Sequence, residues 1–322
     1  MSPVLEAVLF ASPGLFVEQT LNGLFFGFIL FMIATGLTII FGVLGVLNLA
    51  HGEFYALGAF LVFSIAGGLV GAVGQPTGTA SAVLFAGAIA LALLVSAAVL
   101  LPVSAIIEAV LVRPIYERDD VYQLLLTYAL LLMLADGLAF VWGASPRRLQ
   151  GVFGTVNRLP TTELVGFSYP SYNVLAILVG LGVFGFLIWF FERTKTGRIV
   201  RATAINREAA TAMGVSTDRV FTLVFAMGGF FAGFAGAIHG AGPISASVGM
   251  GVNPLVLSFV VIVVGGLGSI KGAFVGAILI GVASRWAILV YPAAELAAPF
   301  IIMIAVLLLR PKGLYGAWGE IE

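Results

Sequence analysis

Long apolar blocks separated by short polar punctuation run through almost the whole chain. They fall at residues 21–47, 54–73, 83–112, 122–142, 172–191, 220–240, 254–268, 273–291 and 299–309. A helix that crosses a bilayer takes about 20 apolar residues, so most blocks have the length of one crossing. The pattern predicts an all-α, polytopic membrane bundle of about nine spans, with eight to ten compatible because 254–268 is short. Ten-residue stretches of alternating apolar and polar residues, the mark of a transmembrane barrel, do not occur.

Polar residues inside such a pattern carry information. His51-Gly52-Glu53 joins the first two blocks and is the one place where a histidine and a carboxylate adjoin. Polar side chains beside hydrocarbon are costly. Two arrangements accommodate them: a polar turn at the interface, or a helix interrupted at Gly52 with Asn48 and His51, three residues apart, on one face. Small residues also recur four apart, at Gly23/Gly27, Gly229/Gly233, Ala232/Gly236/Gly240 and Gly272/Gly276. That spacing lets helix backbones approach closely, and it suits both helix packing and the lining of a path.

Composition removes the competing classes. Of 322 residues, 61% are hydrophobic and 9% charged, with a mean hydropathy of +1.15, which excludes a water-soluble globule. Zero cysteines exclude disulfides and thiolate metal sites. Residues 1–20 have no basic start and contain Glu6, Pro13 and Glu18, so no cleavable signal is expected. No basic aromatic surface for nucleic acid is present.

Charge distribution gives orientation, because Lys and Arg collect in cytoplasmic loops. Arg113 and Arg118 share one connection, and Arg193, Lys195, Arg198, Arg201, Arg207 and Arg219 the next but one. Lys271, Arg310 and Lys312 fall on the same side. This side is expected to be the cytoplasm, with the C-terminus there and, for an odd span count, the N-terminus outside beside the polar segment 143–171. Tyr122/Trp142 and Tyr172/Trp189 bracket two spans as interfacial aromatics do.

Residues 192–219 form the one long charged segment on the basic side. Asn206 suits an N-cap, Glu208 lies in the first turn, and Gly214 suits C′, which predicts a helix of about two turns outside the bilayer. Ala202, Ile205, Ala209 and Met213 fall at helical spacing as an apolar stripe, with Arg201, Arg207 and Glu208 facing elsewhere. The stripe docks either on a partner or on lipid.

Catalytic chemistry finds little support. The glycine cluster at 265–272 lacks the spacing of a phosphate-binding loop, and no HExxH occurs. Ser145 is followed by proline. No catalytic or metal-binding residues are expected, and no cofactor bound by this chain. An ion-coupled secondary transporter would use buried ionisable groups, for which Asp136, Glu108 and Arg285 are the candidates.

TGLTIIFGVLGVLNLAHGEFYALGAF (35–60) resembles the permease subunits of ABC importers for branched-chain amino acids. So do 193–202, VVGGLGSIKGAFVGA (263–277) and LLLRPKGLYG (307–316), in the same order. Glu208-Ala209-Ala210 with Gly214 is similar to the E-A-A-x-x-x-G element of importer permeases, although the Leu-Pro pair that often follows is missing. The resemblance implies a single permease domain over 1–322 in a prokaryotic inner membrane, with 192–219 as its coupling loop. Ala202, Ile205, Arg207, Glu208, Ala209, Ala210, Met213 and Gly214 would then meet an ATPase. It further implies two ATPase subunits holding ATP-Mg, a second permease subunit, like or unlike this one, and a periplasmic or extracellular amino-acid-binding protein. Asn48, His51, Gly52 and Glu53, expected at the cytoplasmic side of the path, join Gly265, Gly266 and Gly268 as pathway or gate candidates. Urea or short amides are alternative cargo, and an ion-coupled carrier the alternative mechanism.

Overall fold

A computed structural model describes residues 13–74, 79–149, 162–164, 167–242 and 244–316. The reading of the first twelve residues, and residues 150–161 and 165–166 of the polar segment 143–171 with Arg158 among them, lie outside the described residues. The helices in chain order are α1 Pro13–Leu44, α2 His51–Val73, α3 Thr79–Ile107, α4 Asp120–Trp142, α5 Ser171–Arg193, α6 Lys195–Ile205, α7 Arg207–Ala212, α8 Thr217–Ala241, α9 Val252–Gly265, α10 Ile270–Val290 and α11 Ala294–Leu309. A small antiparallel hairpin, β1 Thr162–Leu164 and β2 Phe167–Tyr169, precedes α5. Among the described residues seven helices are long and apolar enough to cross a membrane, and α9 and α11 are shorter apolar helices. Each apolar block of the sequence thus appears as a helix.

The core forms where α1 and α8 cross, both largely enclosed while the other long helices keep broad exposed faces. Backbone-to-backbone packing replaces large side chains there. Gly23 and Gly27 of α1 lie against Gly281 and Ala277 of α10, Gly36 against Gly228 of α8, and Gly236 and Gly240 of α8 against Tyr55 and Ala59 of α2. The four-residue glycine spacing therefore serves helix packing, since a methyl group at these positions would overlap the opposing helix.

These approaches also fix direction. Gly36 meets Gly228 while Phe25 meets His239, so α1 and α8 are antiparallel. Phe54, Tyr55 and Ala59 meet Gly233, Gly236 and Gly240 in rising order, so α2 runs with α8. By the same reasoning α10 opposes both α1 and α9, and α3 opposes α8. One plan therefore occurs twice with opposite sense. A long buried helix (α1 or α8) is followed by a non-helical return into the bundle (45–50 or 244–251) and then by a helix that starts inside it (α2 or α9). The next helix packs on the other half's long one (α3 on α8, α10 on α1).

Boundaries moved where local chemistry decides them. Helix α1 starts eight residues before the expected 21 and ends at Leu44, where Gly45 takes a φ of 72° and donates to the Phe41 carbonyl at 2.9 Å. The block 83–112 stays α-helical to Ile107 and closes in a π turn, Glu108–Val112, and a 3-10 turn, Arg113–Ile115. Pro114 has no amide hydrogen to continue the ladder. Tyr172, expected as an interfacial aromatic, is buried and donates to the Ile238 carbonyl.

Candidate functional site

Arg113, Arg201, Arg207, Lys271 and Lys312 gather at one end of the bundle, and Arg147 and Arg285 lie toward the other. At the first of these ends the Thr194 hydroxyl accepts from the Gly197 amide at 3.0 Å and starts α6, and Asn206 Oδ1 accepts from the Ala209 amide at 2.9 Å and starts α7. Asn206 itself is extended, so the apolar stripe is carried by two short helices and not by one. At the end of α7, Gly214 has a φ of 84°, its amide reaches Thr211 O at 2.9 Å, and Val215 N reaches Ala210 O at 3.1 Å. These two bonds form a Schellman cap, the arrangement that asks for glycine at C′.

Ala202, Ile205, Ala209 and Met213 line an open apolar groove of about 760 Å³, with Lys195 and Arg198 along it. Ile205 is 60% and Met213 85% exposed, an unusual state for such side chains outside a bilayer span. Ala210 belongs to the same groove but is mostly buried. Glu208 is exposed, and Arg207 turns away to stack 4.7 Å over the Phe221 ring. Of the eight expected coupling residues, Ala202, Ile205, Ala209, Ala210 and Met213 line the groove, and Arg207, Glu208 and Gly214 do not.

Behind the groove lies a network that sequence reasoning did not find. The Phe221 ring meets Tyr116 edge-on at 5.3 Å, and Tyr116 donates to Glu108 at 2.9 Å. Arg113 donates to both Glu108 oxygens, at 3.2 and 2.8 Å, and Thr222 of α8 donates to Glu108 at 2.8 Å. Burial, then the Glu108 charge, pushes the Tyr116 hydroxyl well above the ordinary tyrosine range. Glu108 and Arg113 are five residues apart, the spacing of a π turn, and that spacing was the available signal. Of the ion-relay candidates, Glu108 is thus paired, Arg285 pairs with Glu295 at 2.9 Å, and Asp136 is exposed.

The polar cluster of the first block lies deeper than expected. His51 Nε2 is 3.0 Å from the carbonyl oxygen of Ile33, about eleven residues or roughly 16 Å from the basic end of α1. The reason is that residues 45–50 leave α1 and run back into the bundle. Asn48 belongs to this return and not to a helical face shared with His51, although its carbonyl accepts from the His51 amide at 3.3 Å. Gly52 does not break a helix; it sits in the first turn of α2, where a Cβ would come within 2.5 Å of Gly251 O. The starts of α2 and α9 thus touch inside the bundle. Asn48 and Glu53 are buried and their side-chain oxygens and nitrogen have no partner among the described residues.

Gly265, Gly266 and Gly268 are not brought to that cluster. They lie at the far, basic end of α9, where Gly265 packs on Gly272, Gly266 on 312–316, and Gly268 near Gly42. Leu314 N and Tyr315 N donate to Val264 O and Gly265 O at 2.9 and 3.0 Å, stitching the tail to this turn.

The family of branched-chain amino acid transport system permease components matches residues 19–308, which include both the groove and the buried cluster. The chain belongs to that family. Among its members' relatives, the high-affinity branched-chain amino acid transport system permease protein LivH of Escherichia coli K12 is 29% identical over 94% of this chain and 96% of its own. BraD of Pseudomonas aeruginosa, named in the same terms, is 28% identical over the same shares. A shorter likeness, 34% over 37% of this chain and 35% of the other, links it to the L-arabinose ABC transporter permease protein AraH of Azospirillum brasilense. No solved structure matches. This is a family of transport permease components, in keeping with the helical membrane bundle.

Proposed function

We propose that this chain is the permease subunit of an ATP-driven importer that carries branched-chain amino acids across a prokaryotic inner membrane by alternating access. The observation that carries the proposal is the exposed apolar groove on α6 and α7 at the basic end of a permease-family bundle. An apolar groove edged by Lys195 and Arg198 fits a protein surface, and two ATPase subunits holding ATP-Mg are the partners for it. Basic loops make that end cytoplasmic, with the C-terminus there. A second permease subunit completes the path, and an amino-acid-binding protein delivers cargo from the opposite side. Names of full-length relatives supply the cargo class.

The test is reconstitution of the whole complex in liposomes. ATP-dependent uptake of leucine that requires the binding protein and fails with Ala209→Asp, with normal insertion, is the expected result. Uptake indifferent to ATP, or an Ala209→Asp complex with full uptake and full ATPase retention, overturns the reading.

A further inference from the structure

Irregular backbone at membrane depth is tolerated only inside protein or along a water-filled cavity, because lipid cannot satisfy its polar groups. The return 244–251 ends beside His51 at that depth, yet Gly249 in it is exposed, and so are the first two residues of α9, Val252 at 47% and Asn253. This face of the chain therefore cannot lie on lipid. Neither α2 nor α9 has a side-chain cap; backbone carbonyls take the His51, Glu53 and Val252 amides, and the two positive helix ends meet here with Gly52 and Asn253 in their first turns.

A second observation points to a ligand. Glu53 continues the Ala56, Leu57 and Phe60 face of α2, which packs on Leu138 and Trp142 of α4 and on Val248 and Met250 of the return. On the other sides of the same turn, His51 faces α1, Gly52 faces α9 and Phe54 faces Phe225 of α8. Glu53 is thus aimed between α4 and the return that leads into α9. It is 1% exposed, Asn48 is 0% exposed, and neither side chain has a partner among the described residues.

We infer that the meeting point of α2 and α9 holds the charged head of the amino acid in transit. Its carboxylate lies at the two helix ends with the Asn253 side-chain amide, and its ammonium lies at the Glu53 carboxylate and Asn48 Oδ1. The apolar side chain remains free along Val252 and the path. The inference rests on the amino-acid reading above and adds the residues that recognise the zwitterion.

The chain has no cysteine, so Asn253→Cys can be labelled singly in the reconstituted complex with a charged, membrane-impermeant thiol reagent. Labelling is expected, with Met133→Cys, 66% exposed near the middle of α4, as the unlabelled lipid control. Leucine should slow it severalfold and its deaminated 2-oxo analogue should not. Glu53→Gln should abolish protection while labelling without leucine stays as before, which shows that the variant is folded. An unlabelled Asn253→Cys, or labelling that leucine does not slow in a complex that imports leucine, overturns the inference. Absence of leucine uptake in the unmutated complex instead sinks the cargo reading, and labelling still decides whether this face is wet.

Discussion

Replacing Arg113 with methionine strands the Glu108 carboxylate in a place where water does not reach it. Glu108 is fully buried and accepts from Arg113, Tyr116 and Thr222 at 2.8–3.2 Å. Removing one member of a buried ion pair costs about 3–5 kcal/mol. Arg113 is 34% exposed and two neutral donors remain, so the lower end, about 3 kcal/mol, is expected. Arg113→Met with Glu108→Leu removes the stranded charge and leaves only the lost neutral bonds, about 1–2 kcal/mol. The double variant should thus unfold at a higher temperature than the single one, in lipid nanodiscs with all subunits present. Tyr116→Phe, which deletes one bond to the carboxylate, should fall between Arg113→Met and the unmodified protein. Equal midpoints for the single and double variants would show that Glu108 is not held as an ion in this network.

Other outcomes follow from single contacts. Gly214→Val forces a branched side chain into φ 84° and should cost about 1–2 kcal/mol locally, read as lost ATPase copurification with normal insertion; full copurification counts against the Schellman cap as a docking element. Gly236→Leu drives a side chain into the Tyr55 carbonyl and should lower the midpoint by the equivalent of about 1–3 kcal/mol, whereas Gly137→Leu, which meets open space, should not. Met213→Cys should label only from the cytoplasm and exposed Ser145→Cys only from outside; the reverse pattern refutes the orientation.

Much of this architecture is legible in one sequence because the bilayer imposes it. Span positions come from hydropathy alone, and the glycines at 23, 27, 236 and 240 mark faces of close approach, though the partner helix of each is visible only in the fold. Asn206 and Gly214 mark both ends of α7, since capping is local chemistry. What stayed hidden depends on long-range placement. Nothing local says that 45–50 turns back into the bundle, so the Asn48–Glu53 cluster read as a cytoplasmic-edge feature when it lies at the depth of Ile33. The Glu108 network joins residues more than a hundred positions apart, and only its Arg113 member was within reach of spacing arguments.

Helix α8 is the element that relates the two sites. Its first turns carry Phe221 and Thr222, held by Arg207 of the coupling loop and by Glu108 of the α3 π turn. Gly228 then packs on α1 and Gly233 on the first turn of α2, beside Glu53. Between these points α8 is an unbroken, largely enclosed helix whose glycines pack on the backbone of α1 and α2 and on the Ile40, Leu100 and Ser104 side chains. A shift of α7 that keeps the Arg207–Phe221 stack pulls on the first turns of α8, which the Glu108 network also holds. Moving α8 slides it along α1 and α2, which alters the seat of α2 against the start of α9. On the proposed docking of an ATPase at α7, α8 is the continuous element that runs from that contact to the start of α2 beside Glu53.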